Sequence, residues 1–134
     1  DSGHVLLERQ FRYPNDRVFV ELPAGKLEYG EDPLLCAQRE LREETGYSAS
    51  DWQFVCTIHN AIAYCDEHLD IFLARGLTPG EQQLDDGEFV ELFDLSLDDL
   101  LEQVRLGQIS DVKTIIGAFW LEKIRRGEWA PPGR

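Results

Sequence analysis

Residues 25–47 read GKLEYGEDPLLCAQRELREETGY, and this stretch predicts the element around which the chain folds. It carries the signals of a helix: Asp32 can cap the start, Pro33 suits the first helical position, and Gly46 suits the residue just past the end. Between these limits, apolar residues recur at spacings of three and four, which predicts a stripe that packs against a core. That stripe consists of Leu34, Ala37 and Leu41.

The same helix carries a cluster of acidic residues. Glu40 and Glu44 lie one turn apart and point the same way, and Glu43 lies about 60° around the helix from Glu40. Arg39 can pair with Glu43, but it cannot neutralise all three carboxylates. Glu31 lies in a glycine-containing loop that can fold back toward the helix. A solvated Glu/Arg-rich surface is one interpretation. A site for a hard divalent cation, Mg²⁺ or Mn²⁺, is the other, because these ions prefer oxygen ligands.

Alternation and turn signals predict the remaining elements. The predicted strands cover residues 5–11, 18–22, 52–59, 68–74 and 88–94. Ser96 and Asp99 form a capping box for a helix that runs to about Arg105. Ser110 can cap a last helix that ends before Gly127. Strands interleaved with helices predict an α/β or α+β sandwich.

The composition limits the classes of partner. The 134 residues include 13 Lys and Arg against 26 Asp and Glu, which gives a formal net charge of −13. This charge disfavours binding to nucleic acid or to an anionic membrane, because phosphates attract basic side chains. No apolar run approaches the roughly 18 residues of a membrane span. The three cysteines form no CxxC pair, which favours buried thiols in a reducing cytosol.

The stretch at 25–47 resembles the Nudix box, G-x5-E-x7-R-E-U-x-E-E-x-G-U, where U is usually aliphatic. Every specified spacing fits, and only Tyr47 departs from the usual residue type. The matching residues are Gly25, Glu31, Arg39, Glu40, Leu41, Glu43, Glu44 and Gly46. The resemblance implies an α/β fold of the Nudix type, an α/β/α sandwich with a mixed central sheet. It implies a single domain over residues 1–134 that lacks the family's N-terminal strands.

The resemblance also implies roles for individual residues. Arg39 would pair with Glu31 or Glu43 and so orient the carboxylates. A Mg²⁺ ion, with Mn²⁺ as a substitute, would neutralise a diphosphate while water attacks phosphorus. The metal ligands implied are Glu40, Glu44, Glu43 and the backbone carbonyl of Ala24. Glu43 and Glu44 thereby also count as catalytic residues.

Residues 9–13 and 21–28 resemble the ADP-ribose pyrophosphatase branch of the family. In that branch, basic and aromatic side chains before the box hold the terminal phosphate and the adenine. Arg12 would therefore grip phosphate oxygens, since a guanidinium can do so with two hydrogen bonds. The alternative is a strand-surface arginine paired with nearby acids. Glu21 would hydrogen-bond a ribose or a base.

A late loop is expected to supply the catalytic base. Residues 84–91 resemble the loop that carries this carboxylate in the ADP-ribose branch, and Glu88 is the matching position. A carboxylate beside an acidified water is a suitable proton acceptor. Asp86 is the rival, and an ordinary acidic turn before a strand is the alternative to both.

The expected activity is therefore hydrolysis of ADP-ribose, or of a related nucleoside diphosphate sugar, to AMP (or another NMP) and a sugar phosphate. Tyr64 stands near a position where a tyrosine is associated with dinucleoside polyphosphate hydrolases, which keeps that activity as an alternative. A non-catalytic Nudix-type nucleotide sensor is a third possibility, which the intact carboxylates disfavour. The family branch further implies a homodimer.

Overall fold

A computed structural model describes residues 3–25, 27 and 29–132. In this part of the chain, five strands and three α-helices follow one another, with a short 3-10 turn, Tyr13–Asn15, between the first two strands. The elements are β1 (His4–Arg12), β2 (Arg17–Glu21), α1 (Pro33–Thr45), β3 (Ser48–His59), β4 (His68–Thr78), β5 (Glu91–Ser96), α2 (Leu97–Arg105) and α3 (Val112–Arg125). The predicted α/β class is confirmed. No helix among these residues is both long and apolar enough to cross a bilayer.

The strands form two separate antiparallel sheets. One sheet has the order β2-β1-β5, with β1 in the centre, and the other consists of β3 and β4. All pairings between described residues are antiparallel, whereas a mixed sheet is expected from the sequence. Local connections explain the difference: a tight turn joins β1 to β2, and residues 60–67 return the chain from β3 to β4.

Several elements end at different residues from those predicted. The ladder of β3 and β4 extends as far as the pair Ser48 and Thr78, beyond the predicted ends, because each strand gives the other a partner. β5 begins at Glu91 instead of Glu88, since the chain first makes a turn in which the Glu88 N–H donates to the Asp85 carbonyl.

The cap of α3 is also corrected. Asp111, not Ser110, caps this helix, and its carboxylate accepts from both the backbone N–H and the hydroxyl of Thr114. Ser110 instead accepts a hydrogen bond from Arg17 at 3.2 Å. A carboxylate caps as well as a hydroxyl does, so neighbouring Ser and Asp residues leave the sequence ambiguous by one position.

The main core lies between the β1 sheet and the helices α2 and α3. Its buried side chains are Leu7, Leu97, Leu100, Ile109 and Ala118. The predicted stripe on α1 is only half-buried. Two of its members, Ala37 and Leu41, line a cavity of about 690 Å³ whose walls come from both sheets and from α1 and α3.

The segment after β4 docks on the C-terminal end of α1. The Gln83 N–H donates to the Glu43 carbonyl at 2.7 Å, and the Gln82 side-chain amide donates to the Glu44 carbonyl at 2.9 Å. Carbonyls in the last turn of a helix have no partner within the helix, so these two bonds satisfy groups that otherwise need water. The docking therefore fixes where residues 79–90 run.

Gly46 ends α1 with φ +80°, and its N–H donates to the Arg42 carbonyl. A Cβ at this position would lie 2.4 Å from the Gly80 carbonyl oxygen of the docked segment. Glycine is therefore required twice here, once for the left-handed backbone and once for the close approach.

We expect Gly46→Ala to lower the free energy of unfolding by more than Gly107→Ala does. Both glycines have similar φ, +80° and +77°, but a Cβ at Gly107 would meet no described atom within 4 Å. Gly107→Ala therefore costs only the left-handed strain, about 1–2 kcal/mol, and Gly46→Ala adds a collision with backbone. Urea unfolding of the two variants measures the difference, and equal losses would contradict the close approach of Gly80.

Candidate active site

The loop before α1 brings Glu31 back onto the helix. Asp32 caps α1 by accepting from the backbone N–H groups of Leu34 and Leu35 at 3.0 and 3.3 Å. One residue earlier, the Glu31 carboxylate accepts two hydrogen bonds from Arg39, at 2.8 Å from Nε and 3.0 Å from Nη2. This two-point geometry fixes both side chains, because the planar guanidinium matches the two carboxylate oxygens.

Arg39 also contacts two carboxylates of its own helix. Its Nη1 donates to Oε1 of Glu40 and to Oε2 of Glu43, each at 3.0 Å. The sequence analysis expects a pair with Glu31 or with Glu43. The structure places the guanidinium among Glu31, Glu40 and Glu43 together. One cation therefore holds three of the four acidic residues of the box.

Gly25 lies directly against the side chain of Glu40. A Cβ at Gly25 would lie 1.9 Å from the Glu40 Cδ atom, so the carboxylate fills the space that any side chain at position 25 needs. Burial raises the pKa of Glu40, and the charges of Glu44 and Glu43 add to this while Arg39 opposes it. The loop backbone and the helix thus form one wall of a compact acidic site.

Glu44, the fourth carboxylate, is 5% exposed and does not reach Arg39 in the described contacts. It accepts a hydrogen bond from the Ala24 backbone N–H and another from the side chain of Glu8. Burial raises the pKa of Glu44, and the nearby charge of Glu88 raises it further. The backbone of Ala24, the residue implied to offer a carbonyl ligand, therefore stands beside Glu44.

The sequence analysis misses Glu8, which projects from β1 and is 1% exposed. Burial raises the pKa of Glu8 far above its ordinary value, and the hydrogen bond to Glu44 and the charges of Glu44 and Glu21 raise it further. In the hydrogen bond between the two side chains, Glu8 is the donor and Glu44 the acceptor. The one signal in the sequence is an acidic residue directly after the apolar run Val-Leu-Leu at 5–7.

Glu88, the predicted base, stands on the segment that docks on α1. It is half-buried, and its charge acts on Glu44. Its Oε1 accepts from the Asp85 N–H at 3.0 Å, which holds the turn that carries it. Asp86, the rival, is exposed. The structure thus brings Glu88 toward the carboxylates of α1 by way of the docking bonds.

Arg12 and Glu21, the predicted substrate-binding residues, bind each other. Arg12 donates to the two oxygens of Glu21 at 2.8 and 2.6 Å, while Lys113 donates to Glu21 at 2.8 Å and to Asp111 at 3.0 Å. The Glu21 side chain is 3% exposed and that of Arg12 is 45% exposed. Burial acts to raise the pKa of Glu21, but the bonds from Arg12 and Lys113 outweigh it and the pKa falls below its ordinary value.

Lys113 is a second residue that the sequence analysis misses. It stands in the first turn of α3, where the helix dipole disfavours a positive charge. A lysine at that position therefore needs acidic partners, and Glu21 and Asp111 supply them. This conflict with the dipole is the signal by which it could have been found.

The donor chemistry of the site fits a hard divalent cation. Across residues 3–25, 27 and 29–132, no group of three or more His, Cys, Asp and Glu side chains is arranged to hold a metal ion as it stands. The reason is visible in the contacts, because Arg39 draws Glu40 and Glu43 to itself while Glu44 turns to Glu8. All these donors are oxygens, two carboxylates lie one helical turn apart, and the Oε2 atom of Glu8 is buried with no hydrogen-bond partner among the described residues.

Comparison with known proteins shows which family the chain resembles. A family model described as NUDIX domain matches residues 1–114. The chain is 40% identical over 124 residues to the "ADP-ribose pyrophosphatase" of Bacillus subtilis (strain 168), covering 91% of this chain and 67% of that protein. It is 38% identical over 124 residues to the "Methanol dehydrogenase activator" of Bacillus methanolicus, with the same coverage of both. It is 30% identical over 127 residues to the "GDP-mannose pyrophosphatase" of Salmonella paratyphi B (strain ATCC BAA-1250 / SPB7), covering 88% of this chain and 66% of that protein.

The fold has a close counterpart among solved structures. A "Crystal structure of ADP compounds hydrolase" superposes with a TM-score of 0.86 at 21% identity, covering 96% of this chain and 69% of that one. The chain spans about two thirds of the length of the first two relatives. The family match shows that the chain belongs to the Nudix hydrolase family.

We expect Glu21→Gln to lower the free energy of unfolding by about 1.5–3 kcal/mol at pH 7, because Arg12 and Lys113 lose a charged partner. Folding lowers the pKa of Glu21, so its ion pairs stabilise the fold above the unfolded glutamate pKa of about 4.3. That contribution is lost as the pH falls through the folded pKa. Urea unfolding between pH 7 and pH 3 should show the two proteins converging in acid.

Glu102→Gln is the control, because Glu102 pairs with Arg105 on the exposed surface of α2. This variant should unfold like the wild type at every pH. A Glu21→Gln loss that stays constant down to pH 3 would contradict the assigned role of the ionised carboxylate.

Proposed function

We propose that the chain is a metal-dependent pyrophosphohydrolase that cleaves the diphosphate of ADP-ribose, or of a related nucleoside diphosphate sugar, to AMP (or another NMP) and a sugar phosphate. One observation carries the proposal: Glu40, Glu44 and the backbone of Ala24 and Gly25 come together beside Glu88. The Bacillus subtilis relative, which bears the name ADP-ribose pyrophosphatase, supports the substrate.

The proposed cofactor is Mg²⁺, with Mn²⁺ as a substitute. Glu40, Glu44 and the Ala24 carbonyl would hold it, and Glu43 would hold a further ion or orient a ligand. When bound, the ion would neutralise the charge of the diphosphate and lower the pKa of the attacking water. Arg39 binds Glu40 and Glu43 in the structure, so its role is to keep these carboxylates close together until they bind the ion.

Glu88 is the proposed proton acceptor. Its loop is anchored to the end of α1 through Gln82 and Gln83, and its charge acts on Glu44. A base must stand within hydrogen-bond reach of the water it deprotonates, and a base on a fixed loop meets that condition without a large rearrangement.

Arg12 is the proposed phosphate-binding residue. Its guanidinium is partly exposed and lines a hollow of about 560 Å³ together with Phe19 and Lys113. Glu21 is buried beneath it and already accepts three hydrogen bonds. We therefore assign Glu21 the role of orienting Arg12, in place of the contact with a ribose or a base expected from the sequence.

Two related substrate classes are alternatives. The relative named GDP-mannose pyrophosphatase supports other nucleoside diphosphate sugars as substrates, and Tyr64, which is 90% exposed, supports dinucleoside polyphosphates. A cytoplasmic homodimer is part of the same proposal, and the lack of a CxxC pair among the three cysteines of the sequence supports the reducing compartment.

A substrate panel tests the proposed function. We expect ADP-ribose to give a higher kcat/KM than GDP-mannose and diadenosine tetraphosphate, with AMP released, in the presence of Mg²⁺ or Mn²⁺. Glu44→Gln should lower kcat on the order of 10²-fold or more, because it removes a metal ligand. Glu102→Gln is the control with the same charge change on the exposed surface. A normal kcat for Glu44→Gln at saturating Mg²⁺ would reject the proposed function.

The base is tested separately. We expect Glu88→Gln to lower kcat by ~10²–10⁴ with little change in KM, because an amide cannot accept the proton. Asp86→Asn is the matched control on the same turn and should keep nearly the wild-type rate. If the two variants exchange these behaviours in steady-state kinetics, Asp86 is the base.

A further inference from the structure

Glu8 is an acidic residue outside the Nudix box that points into the site. It lies in the central strand β1, where its Cα is paired with that of Glu21 on one side and that of Leu92 on the other. Its side chain is 1% exposed and reaches Glu44. A carboxyl group in such a position is unusual, because central strands bury apolar side chains and burying a carboxyl group without partners is unfavourable.

The surroundings of Glu8 leave one of its oxygens unsatisfied. One hydrogen bond joins Glu8 to Glu44, and the Oε2 atom has no partner in the described part of the chain. The nearby cation, Lys113, does not satisfy this atom, since its ammonium group donates to Glu21 and Asp111. Buried polar atoms almost always have a hydrogen-bond partner or a ligand, so this exception needs an explanation.

A divalent cation at Glu44 would give Glu8 the missing partner. Glu44 is the carboxylate that stands apart from Arg39, and it is also the one that Glu8 contacts. Oxygen donors from a strand and from a helix would then face the same ion from different directions. Such a spread suits a cation that takes six or more oxygen ligands.

We propose that Glu8 is an additional carboxylate ligand of the divalent cation held by Glu40 and Glu44. This inference rests on the proposed metal-dependent hydrolase. It assigns the cation a ligand from β1, so the site joins the central strand of one sheet to α1. It also gives a reason for an acidic residue in the most buried part of that strand.

Binding of Mn²⁺ to the intact, metal-stripped protein tests the proposal without turnover. We expect Glu8→Gln to weaken Mn²⁺ binding at least ~10-fold, measured from the electron paramagnetic resonance signal of free Mn²⁺, because an amide oxygen is a poorer ligand than a carboxylate. Water-proton relaxation by the bound ion should rise, since a water takes the place of the lost ligand. Circular dichroism and the thermal midpoint without metal verify that the variant is folded.

Two further variants separate the possible causes. Glu91→Gln makes the same side-chain substitution on the neighbouring strand β5, at an exposed position, and should bind Mn²⁺ like the wild type. Glu44→Gln should lose Mn²⁺ binding. If Glu44→Gln loses binding while Glu8→Gln stays within twofold of the wild type, the role of Glu8 is rejected and the proposed function stands. If Glu44→Gln itself binds normally, the proposed metal site and the role of Glu8 both fail.

Discussion

The contact between Arg39 and three carboxylates is the interaction on which the site depends. Glu31, Glu40 and Glu43 would repel one another at this spacing on a bare surface. The guanidinium has donors in several directions, so one side chain offsets the repulsion and fixes the loop to the helix. A lysine would act as a point charge and could not hold all three geometries at once. Three acidic side chains of the site are thus held together by one basic residue, Arg39.

Four segments contribute to the site: the loop at 22–25, α1, the segment 79–90 and β1. Each is held in place by a different kind of contact. The loop at 22–25 is held by the Leu22 N–H bond to the Thr114 hydroxyl and by the Ala24 contact with Glu44. The helix is held by its caps, and the segment 79–90 by hydrogen bonds to the helix end. β1 is held by strands on both sides. Because α1 meets all the other segments, a displacement of this helix would affect every proposed function of the site at once.

Much of the fold and of the candidate site could be predicted from patterns within short stretches of sequence. The caps of α1, the apolar spacing and the acidic positions all lie within one stretch of sequence, so Asp32, Gly46 and the four box carboxylates could be placed in advance. The return of Glu31 to the helix follows from the same local geometry. The roles of Glu88 and Arg12 depend on resemblance to a family branch and stay proposals.

The rest depends on contacts between residues far apart in the sequence. Glu8 and Glu44 are far apart along the chain, and only the packing of β1 against α1 brings them together. Lys113 reaches Glu21 across 92 positions, a much longer separation than that between Glu8 and Glu44. The antiparallel pairing of all the described strands, where a mixed sheet is expected, has a similar reason, because strand alternation gives the face of each strand but not its neighbour or direction. Short-range errors, such as Ser110 for Asp111, arise where two suitable caps are adjacent.

The contact of Gly25 with Glu40 has a consequence for attempts to change the specificity of this enzyme by random mutagenesis. The two positions are locked as a pair, because any side chain at 25 must displace the carboxylate at 40. A side chain at 25 therefore requires a new side-chain conformation or a smaller residue at 40, so the two positions have to be varied together. The side chains of Tyr29 and Phe89, by contrast, are exposed and extend into open space. Positions 25 and 29 thus differ sharply in the room they leave for a side chain, although they lie close together in the sequence.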